Sequence, residues 1–196
     1  MAKRPITEDD LPTLPELQQA LEDARYRARF TRTARSTVNV LVVVAALAVL
    51  AATLWLPVMR IYGTSMTPSM ENGDIVIAVK SGTFARGEVI AFMFNNKTLV
   101  KRVIGLPGDW IDIDERGNLS VNGEPVDEPY LTEKARGECD IELPYQVPES
   151  RLFVKGDHRS VSVDSRSTAV GCVAEEQIMG RLAFRIWPID QMGRIE

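Results

Sequence analysis

In YGTSMTPSM (Tyr62 to Met70), four of the nine residues are Thr or Ser. Each hydroxyl is a nucleophile if a base lies within reach, although Ser, Thr, Gly and Pro are also ordinary residues of a surface turn. The chain offers few bases. Its one histidine, His158, lies in GDHRSVSVDSR. Asp157 is too close in sequence to be an obvious orienting partner for it, which leaves Asp164 as a candidate. Cys139 and Cys172 have no catalytic motif around them. Two cysteines and one histidine do not make a Cys/His zinc site, and no metal or cofactor is expected.

What remains is lysine, which serves as a base only when neutral. Its free pKa of about 10.4 has to fall by roughly two or three units through burial. Lys101, in TLVKRVIGLPGD, sits inside an apolar run and by alternation shares a face with Leu99 and Val103. Lys80, Lys97, Lys134 and Lys155 fall at run ends or in polar segments. On periodicity alone, Lys101 reads equally as a strand lysine whose amine snorkels to solvent.

These residues need elements to hold them. The 196 residues are 45% hydrophobic and 26% charged, a globular composition, and the net charge of −4 gives no footprint for nucleic acid. From Ser36 to Met59 there is no charged residue. About 20 apolar residues at about 1.5 Å each span the roughly 30 Å of a bilayer core. Arg25, Arg27, Arg29, Arg32 and Arg35 precede the run, and only Arg60 follows closely. The positive-inside rule then puts the N-terminus in the cytoplasm and residues 60–196 outside. The long leader and long apolar core fit a retained anchor better than a cleaved signal peptide.

The expected organisation is a partly helical cytoplasmic tail at 1–36, a transmembrane helix at 37–59 and an extracytoplasmic domain at 60–196. That domain reads as mainly β. DIVIAVK, EVIAFMF, TLVKRVI, WIDID, LSV, RLFVK and RLAFRIW are strand-like runs separated by turn signals such as Asn122-Gly123. WPIDQMGRIE reads as a closing strand edge and tail. Cys139 and Cys172, both in the exported part, are expected as two free thiols, with a disulfide as the alternative.

Three stretches in this order, GTSMTPSM, LVKRVIGLPGD and GDHRSVSVDSR, resemble the bacterial type I signal peptidases. The likeness spans roughly 36–187, and the short outer domain resembles the Gram-positive versions. It implies coiled antiparallel sheets like those of the self-cleaving SOS repressors. It also implies a Ser/Lys endopeptidase that removes signal peptides from exported preproteins, after small residues, through an acyl-enzyme. Carried over by position, Ser65 is the nucleophile and Lys101 the general base. Ser162 orients the lysine, Asp164 and Arg166 form a supporting ion pair, and Arg102 is the basic residue after the lysine. Ile61 and Val100 line the small-residue pockets.

Two positions depart from the family pattern. Gly63 stands where some relatives have an oxyanion-hole serine, so the hole at Gly63 and Ser65 rests on backbone N–H groups, chiefly that of Ser65. His158 stands where asparagine is commoner. The implied partners are signal peptides, the phospholipid membrane and the export translocon, and no nucleic acid. The implied location is the cytoplasmic membrane, single-pass. A self-cleaving repressor is the rival enzyme reading, and an anchored β-domain that only captures secreted proteins is the rival without catalysis.

Overall fold

The computed structural model describes residues 14–195, which divide after Ala51 into two units. Helix α1 runs from Leu14 to Trp55. After Pro15, which suits a first turn, neither Gly nor Pro interrupts the sequence until Pro57. Pro57 lacks the N–H that another turn would need, so the helix stops two residues before it. Met59, expected within the span, pairs instead in strand β1 (Val58–Arg60). The stretch Leu17–Leu50 is long and apolar enough to cross a membrane, and its large side chains from Val38 to Leu50 are exposed.

The second unit is an antiparallel β domain. After β1 come β2 (Ile75–Val79), β3 (Val89–Phe94), β4 (Lys97–Gly105), β5 (Trp110–Ile113) and β6 (Leu119–Val121). Then follow β7 (Glu124–Pro125), β8 (Tyr145–Gln146), β9 (Arg151–Lys155), β10 (Val173–Ala174), β11 (Ile178–Trp187) and β12 (Gly193–Arg194). The larger sheet has the order β1-β2-β11-β3-β4-β9-β10, with β12 on β11; the smaller is β7-β6-β5-β8.

Alternation decides which faces are buried. In β2, Val76 and Ala78 turn inward, and in β5 Ile111 and Ile113 do so while Trp110 and Asp112 stay out. Asn122 and Gly123 both take positive φ, 55° and 81°, between β6 and β7. That is the backbone a two-residue type I′ hairpin requires, and Asn-Gly tolerates it best. Cys139 and Cys172 are both free thiols, the second packed among Ile111, Val147 and Phe153.

The segment from Ile61 to Asp74 leaves the sheet between β1 and β2 and is pinned at its mouth. Ile61 N–H donates to Asp74 O at 2.8 Å, and Gly73 N–H to Ile61 O at 2.9 Å. Met66 and Met70 plug its underside into the core beside Val76, Ala78 and Leu182.

Candidate active site

Ser65 sits on that segment, in a tight turn closed by Thr67 N–H donating to Thr64 O at 3.1 Å and Met70 N–H to Met66 O at 2.9 Å. Because Met66 is buried next to it, the seryl side chain is held at the surface of the core rather than on a mobile tip. Gly63 adopts φ +92°, a region that favours glycine, and a side chain there would meet nothing within 4 Å. Its N–H is taken by Asn72 Oδ1 at 3.1 Å. Ser65 N–H, by contrast, donates to no group among the described residues. Of the two backbone donors expected at an oxyanion hole, Ser65 alone is available.

Lys101 comes from the middle of β4. Its cross-strand partner is Ile90, and Leu99 pairs with Phe92, so the lysine stem shares the face of Leu99 and Val103 as alternation predicts. Its amine lies 2.7 Å from Ser65 Oγ, and the residue is only 3% exposed. Burial pushes its pKa from 10.5 down to about 8; Asp164 and Asp157 pull it up and Arg166 pushes it down, all by smaller amounts. An amine in that state is neutral in a large fraction of molecules slightly above neutral pH. Lys101 does not snorkel.

Ser65, Lys101, Ile61, Val100 and Gly63 line one cavity of about 470 Å³, with Met66 in its wall. One edge of β4 is open there. Residues 97–102 pair with β3 on one side, whereas β9 joins the other side only from Arg102 onward.

The loop after β9 closes the site from behind. His158 N–H donates to Ser65 O at 3.0 Å. A Cβ on Gly156 would lie 2.5 Å from that same carbonyl oxygen and 2.2 Å from Ser162 Oγ, so only glycine fits and the Ser162 hydroxyl neighbours the Ser65 backbone. Ser162 Oγ is buried beside the Asp164 carboxylate but outside good hydrogen-bond geometry, and it makes no hydrogen bond to Lys101. The expected orienting contact is therefore not made here.

Asp164 and Arg166 form a fully buried bidentate pair, at 2.8 and 2.9 Å. Burial alone would raise the Asp164 pKa, but the Arg166 contacts and the Gly156 N–H outweigh it and hold the carboxylate ionised. Arg166 also donates to Ser162 O at 3.2 Å and Arg159 O at 2.9 Å.

Three features were not read from the sequence. Arg102 pairs with Asp157 through two contacts of 3.0 and 2.7 Å and lies under the Tyr130 ring at 4.0 Å. Arg159 forms a buried pair with Glu128. Lys155, at the end of an apolar run, is fully buried. Two of these partners, Glu128 and Tyr130, sit in a polar loop with no periodic signal. His158 does not face Ser65 Oγ. Its Nδ1 lies 2.9 Å from Thr67 Oγ1 and 3.2 Å from Thr64 O. Thr67 Oγ1 also lies 2.8 Å from Thr64 O, to which its hydroxyl donates. Asp164, the candidate orienter of a His triad, is occupied by Arg166.

Residues 34–187 match the family model described as signal peptidase, peptidase S26. Over 151 residues the chain is 37% identical to signal peptidase IB of Staphylococcus aureus strain Mu50, covering 67% of this chain and 78% of that one. Over 147 residues it is 33% identical to signal peptidase I of Bacillus licheniformis, covering 68% and 78%. A crystal structure of a signal peptidase I from Enterococcus faecalis V583 aligns with TM-score 0.44 at 29% identity, over 51% of this chain and 97% of that one.

Proposed function

Since this chain belongs to the signal peptidase family of serine endopeptidases, peptidase S26, we propose that it removes signal peptides from exported preproteins by a Ser65/Lys101 dyad. The observation that carries the reading is the 2.7 Å contact between a buried lysine amine and a seryl hydroxyl.

Neutral Lys101 takes the Ser65 proton as Oγ attacks the scissile carbonyl. The Ser65 N–H stabilises the tetrahedral oxyanion. Collapse leaves an ester on Ser65, and Lys101 hands its proton to the departing amine of the mature chain. A water deprotonated by the same lysine then hydrolyses the ester. While Ser65 Oγ is acylated, Ser162 Oγ is the buried hydroxyl to which the ammonium can turn. Asp164 and Arg166 hold the loop that carries it, and Arg102 braces that loop through Asp157.

The open edge of β4 supports a substrate bound as an added strand, its alternate side chains entering the cavity. Ile61 and Val100 narrow that cavity, which favours Ala, Gly or Ser before the cut. Efficient cleavage after Phe or Leu in a peptide panel would reject this pocket assignment. The arginines ahead of the span favour a cytoplasmic N-terminus, with the β domain at the outer membrane face near the export translocon. Incubating purified chain with a preprotein and sequencing the new N-terminus tests the reading. Cleavage after a small residue, lost in Ser65→Ala, is expected; equal cleavage by Ser65→Ala rejects it.

A further inference from the structure

Two lysines are buried among the described residues, Lys101 and Lys155. Lys101 meets Ser65, whereas Lys155 Nζ has no hydrogen-bond partner among the described residues and the residue is 0% exposed. Lys155 ends β9 directly opposite Arg102 of β4. Cross-strand partners point to one face, so both lie on the opposite side of β4 from the Lys101 stem.

The charged groups around Lys155 form an enclosed ionic layer. Glu128 comes from the segment between β7 and β8, and Arg159, Asp164 and Arg166 come from the loop after β9. Every carboxylate of the layer is already taken: Asp157 by Arg102, Glu128 by Arg159 and Asp164 by Arg166. Four basic side chains thus share three carboxylates, and Lys155 is left over. A protonated Lys155 would be an uncompensated charge in the protein interior. Burial pushes its pKa from 10.5 down to about 7; Arg159 and Arg166 push the same way, and Glu128 and Asp164 oppose them.

These pairs also hold the loop that supports Ser65. Arg159 Nε donates to Gly156 O at 3.0 Å, and Asp164 accepts the Gly156 N–H at 2.9 Å. Two residues on, His158 N–H holds Ser65 O. We infer that Lys155 is a positioning residue that works as a neutral amine and makes the hold on Ser65 sensitive to acid. Unprotonated, it lets the ionic layer close behind residues 156–162. Protonated, it competes with Arg159 and Arg166 for Glu128 and Asp164, and the loop loosens.

The folding consequence has a definite sign. Between about pH 7 and the free value near 10.4, the unfolded chain carries a proton on Lys155 that the folded chain does not. Stability therefore rises with pH through that window and is flat, for this group, below it. Lys155→Met keeps the stem and removes the amine.

The test uses the full chain in detergent micelles. Urea unfolding of Lys155→Met should give a higher midpoint than wild type at pH 7, with the margin shrinking toward pH 10. On a preprotein substrate, Lys155→Met should keep up to about tenfold more of its high-pH rate at pH 6, one unit below the titration. The rate arm rests on the proposed nucleophile, but the folding arm does not, so the two can fail separately. A Lys155→Met chain that is less stable at every pH with an unchanged pH dependence overturns the inference. Should that variant not fold, hydrogen exchange in the unmodified chain decides. Protection of residues 156–162 should drop between pH 9 and pH 6, and unchanged protection overturns the inference.

Discussion

As the proposed base, Lys101 depends on where its amine ends, not on lysine's ordinary basicity. Desolvation brings its pKa to about 8, so the active, neutral form is depleted as pH falls. The cleavage rate should rise with pH through an apparent pKa near 8 and level off above it. A pH–rate profile rising instead toward pH 10.5 would mean the amine is solvated. His158 offers a contrasting case. Its ring holds Thr67 and Thr64 rather than Ser65 Oγ, and a carboxamide N–H can donate to the same oxygens. His158→Asn should keep at least about a tenth of the rate, a barrier cost below roughly 1.4 kcal/mol; a loss of several orders of magnitude in a folded chain would make His158 essential. The scarcity of other bases pointed to a lysine, but periodicity left Lys101 open to a snorkelling reading, and its pairing with Ser65 was legible only through the family resemblance. Lys155 was not legible, since the groups around it come from irregular segments, the loop directly after β9 and the stretch around Glu128, that carry no periodic signal.

At the scale of elements, β4 and the loop after β9 do the positioning. Lys101 and Arg102 are adjacent on β4 and point to opposite faces, one toward Ser65 and the other to Asp157. Asp157→Ala should leave the Arg102 guanidinium buried without its carboxylate and cost about 3–5 kcal/mol in unfolding free energy, measurable by urea titration. Arg102 also donates to Gly87 O at 2.7 Å and Ser69 Oγ at 3.2 Å, and an unchanged midpoint would show that these contacts and Tyr130 suffice to hold it. Gly156→Ala pushes a methyl into Ser65 O and Ser162 Oγ. It should lower the rate at least about tenfold through displacement of Ser65, the proposed nucleophile, since small misplacements are costly to positioned reactants. The main strands were legible from alternation and turn residues. The two- and three-residue strands β1, β7, β8 and β10 were not, because pairing with neighbours defines them and no period fits in so short a run.

For the molecule as a whole, the charge asymmetry around α1 sets the expected orientation. Protease added to intact spheroplasts should digest the β domain and spare the arginine-rich tail; the reverse pattern would invert the topology. Both cysteines belong to the β domain and are free in the structure. Cys172 is buried, and burial pushes its thiol up to about 11, with the Tyr145 hydrogen bond and Arg151 opposing. An inert, protonated thiol is a poor partner for oxidation, so unreduced, denatured chain should titrate two thiols. The two-sheet division was not legible, because strands of both sheets have the same alternating pattern and only their pairing separates them.

In the proposed mechanism a neutral lysine activates Ser65. Its most direct test is the single-turnover cleavage of a preprotein by Lys101→Met at pH 9, where wild-type Lys101 is largely unprotonated. Methionine keeps the length and apolar packing of the stem, so the fold and the substrate cavity should persist, as circular dichroism and peptide binding can verify. A loss of at least about two to four orders of magnitude in rate is expected, the range for a general base. Cleavage at close to the wild-type rate would contradict it and leave Ser65 to be activated by some other group.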